Sequence, residues 1–204
     1  VKTRPKLYIA GPEVFFRNGE ELMQRKGELA LDYGFAPSVM AETELDPTGL
    51  APFEFGCRIS AANERMMRES DVVIANLTPF RGIAADVGTA FEAGFMRALG
   101  KPVFGYTNVV RGYFERLTED YYAGRCERQP DGYVRGPDGM MVENHMMVDN
   151  LMIDGAIEVS GGLLIRRDVP ADAIYDDLSA YIDCLASARQ LFGRADFNTP
   201  ADGG

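Results

Sequence analysis

The tightest constraint on the fold lies at Val72-Val73-Ile74-Ala75, a short, mostly β-branched run with no polar face. A strand wetted on one side alternates polar with apolar residues, so this run predicts a strand covered on both sides, at the centre of a parallel sheet. Leu7-Tyr8-Ile9-Ala10 predicts another strand, running into the turn signal Gly11-Pro12, and Val103-Phe104-Gly105-Tyr106 predicts a third after Lys101-Pro102. Between them the apolar positions recur at helical spacing. Leu22, Met23, Leu29 and Ala30 mark a surface helix over 17–33 that Gly34 stops; Ile59, Ala62 and Met66 mark one over 53–69; Val87, Ala90, Phe91, Gly94, Phe95 and Ala98 mark one over 85–99, stopped by Gly100. Strand, helix and strand in alternation predict an α/β architecture with parallel strands.

The flanking segments are read more coarsely. Residues 35–39 predict a short second strand, and 41–52, with two prolines and a glycine, a loop. From Thr107 to Asn144 the chain is rich in Tyr, Arg, Asp and Gly and holds the turn formers Gln129-Pro130-Asp131-Gly132 and Gly136-Pro137-Asp138-Gly139, which predicts an excursion from the core. Residues 140–153 carry five of the ten methionines and are read as a helix whose methionines pack. An amphipathic helix is expected over 171–191. The expectation is one domain over 1–194 and a loose tail over 195–204.

Composition narrows the function. The formal net charge of −10 has the wrong sign for neutralising a phosphate backbone, so nucleic acid is not an expected partner. No apolar run reaches the roughly 20 residues of a membrane span, and the expected location is the cytoplasm. Cys57, Cys126 and Cys184 are odd in number and far apart, and His145 is the single histidine. A disulfide framework, a zinc cage and a histidine triad are therefore not expected, and acid–base chemistry falls to carboxylates.

In open parallel sheets ligands sit beyond the carboxyl ends of the strands. Those ends offer Tyr8 with Gly11, Glu13 and Phe15, then the loop from Asn76 to Gly82, then Asp86, Gly88 and Glu92 on the following helix. Asp86 falls in that helix's first turn, where a capping role and a site role are both open. Glu92 sits among Thr89, Ala90, Phe91, Ala93, Gly94 and Phe95, an apolar neighbourhood for a carboxylate. A site role and an ion pair with an arginine such as Arg97 are both open for it. Arg81 reads as a partner for an acidic neighbour, and His145 as packed or exposed.

The same residues carry a resemblance. Asp86-Val87-Gly88-Thr89-Ala90-Phe91-Glu92-Ala93-Gly94, preceded by the run from Ser70 to Leu77 and by Pro79-Phe80-Arg81-Gly82, resembles the signature of the nucleoside 2-deoxyribosyltransferases. The Tyr8 strand and Asn150-Leu151-Met152 are similar to that family's opening and carboxyl-terminal elements, so the likeness spans about 7–153. It implies a flavodoxin-like, Rossmann-like parallel sheet of about five strands between helices, 2-deoxynucleoside and free nucleobase as small-molecule partners, and no metal or organic cofactor. It further implies that Glu92 attacks the anomeric carbon to give a covalent deoxyribosyl-enzyme, that Tyr8 holds the carboxylate, and that Asp86 handles the proton of the base. Asn150 would reach the sugar hydroxyls of a neighbouring subunit, which implies a homo-oligomer, dimer or higher, with shared sites.

One position departs from the family. Where many members place an aspartate on the helix before the Val72 strand, this chain has Asn63, which can read a base edge but cannot shuttle a proton. Gly11, Glu13, Phe15, Gly88 and Asn63 are the expected lining of the site. The acidic, apolar stretch Gly11-Pro12-Glu13-Val14-Phe15 lacks a Ser- and Gly-rich phosphate cradle, which favours a free 5′-hydroxyl over a phosphate. Hydrolysis of the same glycosidic bond and a non-catalytic nucleoside-binding module are the competing readings.

Overall fold

A computed structural model describes residues 3–197. Its centre is a five-stranded, wholly parallel sheet built from β1 (Lys6–Ala10), β2 (Ala36–Pro37), β3 (Val72–Asn76), β4 (Val103–Thr107) and β8 (Leu164–Arg166), in the order β2-β1-β3-β4-β8. That order is the doubly wound, flavodoxin-like one. All five residues of β3 and all five of β4 are buried, as the run at Val72 requires. Side chains alternate between the faces. Leu7 and Ile74 join a core completed by Phe35 and by the helix α6 (Ser179–Phe197), while Tyr8, Val73 and Ala75 join one completed by α2 (Pro52–Glu69), α3 (Val87–Ala98) and α5 (Leu151–Val159). The first core also receives Ala30 of α1 (Gly19–Asp32). Each fully buried large aliphatic in these layers contributes roughly 1.5–3 kcal/mol.

The excursion after β4 is a unit of its own kind. A single turn, α4 (Tyr113–Glu115), runs on as a wider turn over Arg116–Tyr121, followed by an antiparallel meander of β5 (Glu127–Arg128), β6 (Val134–Arg135) and β7 (Met141–Val142). Its two reversals fall on the expected turn formers, with Gly132 and Gly139 at φ of 89° and 79°, a region glycine enters without steric cost. Arg116 ties the excursion to the core. Its buried guanidinium donates to the carbonyls of Ile83 (2.7 Å), Arg111 (2.6 Å) and Val148 (2.7 Å) and faces the buried Asp149 carboxylate at 3.5 Å. Asp149 in turn accepts from the backbone of Ala85 and of Asn150, both at 2.8 Å.

Several boundaries differ from the expected ones. The second strand shrinks to Ala36–Pro37, held to β1 by Ala36 N donating to Pro5 O (2.9 Å) and Ser38 N donating to Leu7 O (2.8 Å), with Pro37 facing the open edge, where no N–H is required. Residues 140–153 do not form one helix: Met141–Val142 pairs with β6, and a new helix starts only where Asn150 Oδ1 accepts from Met152 N at 3.0 Å. The last helix starts eight residues later than expected because Asp177 Oδ1 accepts from Ser179 N (2.8 Å) and caps it there. The fifth strand, Leu164–Arg166, has no counterpart among the strands located from sequence. Of the expected tail, 195–197 is helical, and 198–204 lie outside the described residues. Among the described residues no helix is long and apolar enough to cross a membrane.

Arg116→Met leaves Asp149 buried without its cation and three carbonyls without a donor. Unfolding in urea should show a loss of about 3–5 kcal/mol, the usual cost of breaking a buried pair from one side. A loss under about 1 kcal/mol would show that the excursion is not anchored through this contact.

Candidate active site

Between β1 and β3 the sheet order reverses, so the chain leaves these neighbouring strands toward opposite faces and a crevice opens at their carboxyl ends. β1 and β3 pair in register from Leu7↔Val72 to Ala10↔Ala75. Tyr8 therefore sits inside the sheet, two residues before the strand end, with its ring directed toward α3. Glu92 lies in the second turn of α3. The Tyr8 hydroxyl donates to Glu92 Oε1 at 2.6 Å, a charge-assisted bond joining the first strand to the third helix. Glu92 Oε2 makes no hydrogen bond among the described residues. The ion pair with Arg97 is not formed; Arg97 lines a groove elsewhere.

Burial dominates the electrostatics of Glu92 and pushes its carboxyl up to about 7. The Tyr8 hydrogen bond pulls the other way, while the negative charges of Asp86 and Glu13 add to the rise. Tyr8 itself is shifted far upward, by burial first and then by the Glu92 charge and hydrogen bond, so it remains a donor throughout the neutral range. The pair supplies a weakly acidic carboxylate with one oxygen held and one free, the pattern of a nucleophile or a base.

Glu92 lines a cavity of about 480 Å³. Ile9, Val14, Met23, Val39, Leu45 and Met66 give it apolar walls, and Tyr8, Gln24, Ser38, Asn63 and Glu92 bring polar groups to it. This mixture, at this size, suits one small heterocyclic ligand. A shallower space of about 270 Å³ adjoins it between α2 and α3, sharing Asn63 and Glu92 and bounded by Gly88 and Glu64. Asn63 thus stands between the two compartments. Among the described residues no group of three or more His, Cys, Asp or Glu is placed to hold a metal ion.

Not every expected residue lines this space. Asp86 caps α3: its Oδ2 accepts from Thr89 N at 3.0 Å and from Thr89 Oγ1 at 3.2 Å, while its charge still reaches Glu92. Gly11 lines the cavity, and glycine is required there because a Cβ would lie 2.0 Å from Glu13 Oε2 and 2.9 Å from Asn76 Cβ. Glu13 is a correction. It lies beneath the floor, not in the wall, 1% exposed, paired with Lys26 and bonded by Asn76 Nδ2 at 2.8 Å. Phe15 is a second correction: it turns outward to stack on Phe80 at 5.5 Å under the Arg81 guanidinium, and the adjacent Val14 takes its place in the wall. Arg81 accordingly rests on two aromatic rings, Phe15 and Phe80, in place of the acidic partner expected for it. Asn150 does not reach the cavity of its own chain. It is exposed on a groove of about 800 Å³ between α3 and α5, beside Ala90, Gly94, Met152 and Ala156.

Sequence reasoning missed Lys26 and the cavity residues Gln24 and Ser38. For Lys26 a signal existed: Leu22, Lys26 and Ala30 share one apolar stripe of α1 at four-residue spacing, where a lysine is out of place unless a buried carboxylate meets it.

Comparison with known proteins agrees with this fold. The chain matches the family model described as nucleoside 2-deoxyribosyltransferase over residues 7–152. It is 31% identical over 169 residues to an uncharacterized protein of Schizosaccharomyces pombe, covering 78% of this chain and 80% of that protein. Among solved structures it is similar to a 2-desoxiribosyltransferase from Leishmania mexicana, with 29% identity, a TM-score of 0.53, and coverage of 73% of this chain and 85% of that one.

The Tyr8–Glu92 contact can be tested without a substrate. In a carbon-13 titration of the glutamate carboxyls, the Glu92 signal should have its midpoint near pH 7, and Tyr8→Phe should move that midpoint upward because the bond stabilising the anion is lost. A midpoint in the ordinary carboxylate range would show that Glu92 is solvated.

Proposed function

This chain belongs to the nucleoside 2-deoxyribosyltransferase family, and from that premise we propose that it transfers 2-deoxyribose between nucleobases through a covalent ester on Glu92, with retention at the anomeric carbon. The observation that carries this reading is a Tyr8-held carboxylate, with its second oxygen unbonded among the described residues, on the wall of a largely apolar cavity of about 480 Å³.

Glu92 Oε2 attacks C1′ as the C1′–N bond breaks, and the bonding pair leaves with the base, which takes up one proton. Asp86 manages that proton. Positive charge grows on the sugar ring in the transition state, and the ionised carboxylate below it is the group that stabilises it. The step exchanges a C–N bond for a C–O ester and neutralises a carboxylate that burial had destabilised. A second base then attacks C1′, the ester pair returns to Glu92, and the incoming base gives up a proton. Apolar walls favour an incoming heterocycle over water. Asn63 offers one donor and one acceptor to a base edge and supplies no proton, which leaves Asp86 alone in that role. The stretch from Gly11 to Phe15 offers no Ser- and Gly-rich cradle for a phosphate, which favours a free 5′-hydroxyl.

A shared site between two copies accounts for Asn150. It sits on the α3–α5 groove together with exposed apolar residues, Met152 at 71% and Val159 at 69% exposure. A second copy seated on that face would receive Asn150 in its own crevice. Glu92→Gln and Asn150→Ala, each inactive alone, should then regain activity when mixed, because one site of the mixed dimer has both groups intact. No recovery would place Asn150 outside the partner's site.

The central test supplies deoxyinosine and adenine: deoxyadenosine should form, and intact-mass measurement should show a deoxyribosyl adduct on the wild type that Glu92→Gln lacks. Free sugar with no deoxyadenosine would make the protein a hydrolase, and binding without turnover or adduct would make it a binding module. Glu92→Gln should also be more stable than wild type at pH 8. The carboxyl pKa rises from the usual 4.5 to about 7 on folding, so ionisation opposes folding above that range and has no such effect below pH 4.5. The gain should be at most about 3 kcal/mol. Equal melting temperatures for the two proteins at pH 8 would contradict it.

A further inference from the structure

Beneath the crevice lies a charged cluster that the transfer mechanism does not use. Glu13, in the turn after β1, is paired with Lys26 of α1, and both side chains are essentially inaccessible, at 1% and 0%. Asn76, the last residue of β3, donates to Glu13 Oε1 at 2.8 Å, and the Tyr106 hydroxyl of β4 lies 3.3 Å from the same oxygen. The Lys26 ammonium rests 5.2 Å from the Tyr106 ring centroid and 5.1 Å from that of Tyr181 on α6. Glu13 Oε2 is buried with no partner and lies against Gly11, a wall of the cavity.

Stability does not explain this cluster. Desolvating two ions offsets most or all of their attraction, and an apolar pair of equal volume is commonly as stable or more so. The orphan oxygen adds a further cost. What the cluster supplies is an ion-pair dipole whose negative end, Glu13, is fixed against the crevice floor by contacts from α1, β3 and β4, in a setting of low dielectric where charges act over longer distances than in water.

We propose that Glu13, paired with Lys26, is an electrostatic positioning residue: its fixed charge beneath the crevice makes the Glu92 anion less comfortable at rest and stabilises the positive charge that grows on the sugar. The inference rests on the covalent reading of Glu92 given above. When the ester forms, Glu92 loses its charge and its repulsion from Glu13 disappears, while the cationic ring of the transition state is attracted to both carboxylates. Lys26 keeps Glu13 ionised: burial opposes the Glu13 anion, yet the ammonium with its hydrogen bond, together with Asn76, holds the carboxyl below the usual range. The groups facing Glu92 are Tyr8 from β1, Asp86 from the start of α3, Asn63 and Glu64 from α2, and Glu13 from below. Those facing Glu13 are Lys26, Asn76 and Tyr106, with Tyr181 and Cys184 of α6 behind them.

The double variant Glu13→Gln with Lys26→Met removes both charges and keeps the volume, so neither partner is left as a lone buried ion. It should melt at or above the wild-type temperature. The Glu92 carboxyl, followed by carbon-13 titration in the free protein, should titrate about half to one pH unit lower. In deoxyinosine–adenine exchange, kcat should fall by about 10-fold with KM nearly unchanged, and the acidic limb of kcat/KM should move to lower pH with the titration. A packing role would lower stability or activity at every pH without moving either midpoint, and an unmoved Glu92 midpoint in the folded double variant overturns the proposal. If wild type shows the expected midpoint but neither exchange nor an adduct, the covalent reading fails. The titration then still decides whether Glu13 acts on Glu92. Should the double variant not fold, Glu13→Gln alone must give a downward shift at least as large, because it removes the anion and leaves the cation.

Discussion

Everything chemical in this molecule depends on the pairing of β1 with β3. Four registered residue pairs hold the strands side by side while the chain leaves them toward opposite faces. Among the described residues no other neighbouring strand pair in the sheet opens a crevice of this kind. The pairing carries Tyr8 toward α3 and sets Asn76 beside the turn that holds Glu13. Because β3 and β4 are buried on both faces, the strands that position these groups have little freedom to shift, and the strength of a short hydrogen bond such as that from Tyr8 to Glu92 depends on such rigidity.

The crevice gathers negative charge in a place where charge is expensive. Glu92 is raised by burial and by Asp86 and Glu13, and Glu13 is compensated from α1. These arrangements do not serve folding, which would be easier with apolar side chains at the same sites. Under the proposed transfer, they would stabilise the positive charge that grows on the sugar ring. The stability given up at Glu92 is recovered by the aliphatic and aromatic layers on the two faces of the sheet.

The parts of the site legible in the sequence were those whose environment is local. Glu92 was conspicuous because its helical neighbours are apolar, and Asp86 because it opens a helix. Glu13 and Phe15 were legible as loop residues beside the site, but their directions were not. Two residues apart in one short turn, Glu13 points inward to Lys26 and Phe15 outward to Phe80, a choice made by contacts with elements distant in sequence. Gln24 and Ser38 belong to α1 and to the segment after β2, which approach Glu92 only when the sheet forms.

The sequence by itself determined the layered α/β plan, the order of its central elements, and the carboxylate at position 92. Apolar runs and helical periods are properties of a segment and its immediate burial, and they survive being read one segment at a time. Tertiary structure alone decided which Glu92 oxygen is held and which is free, that Lys26 rather than a substrate meets Glu13, and that Asn150 faces a groove outside its own cavity. Each of these depends on side chains from separate elements converging within a few ångströms, and no local pattern encodes the distance between two elements until the strands have paired.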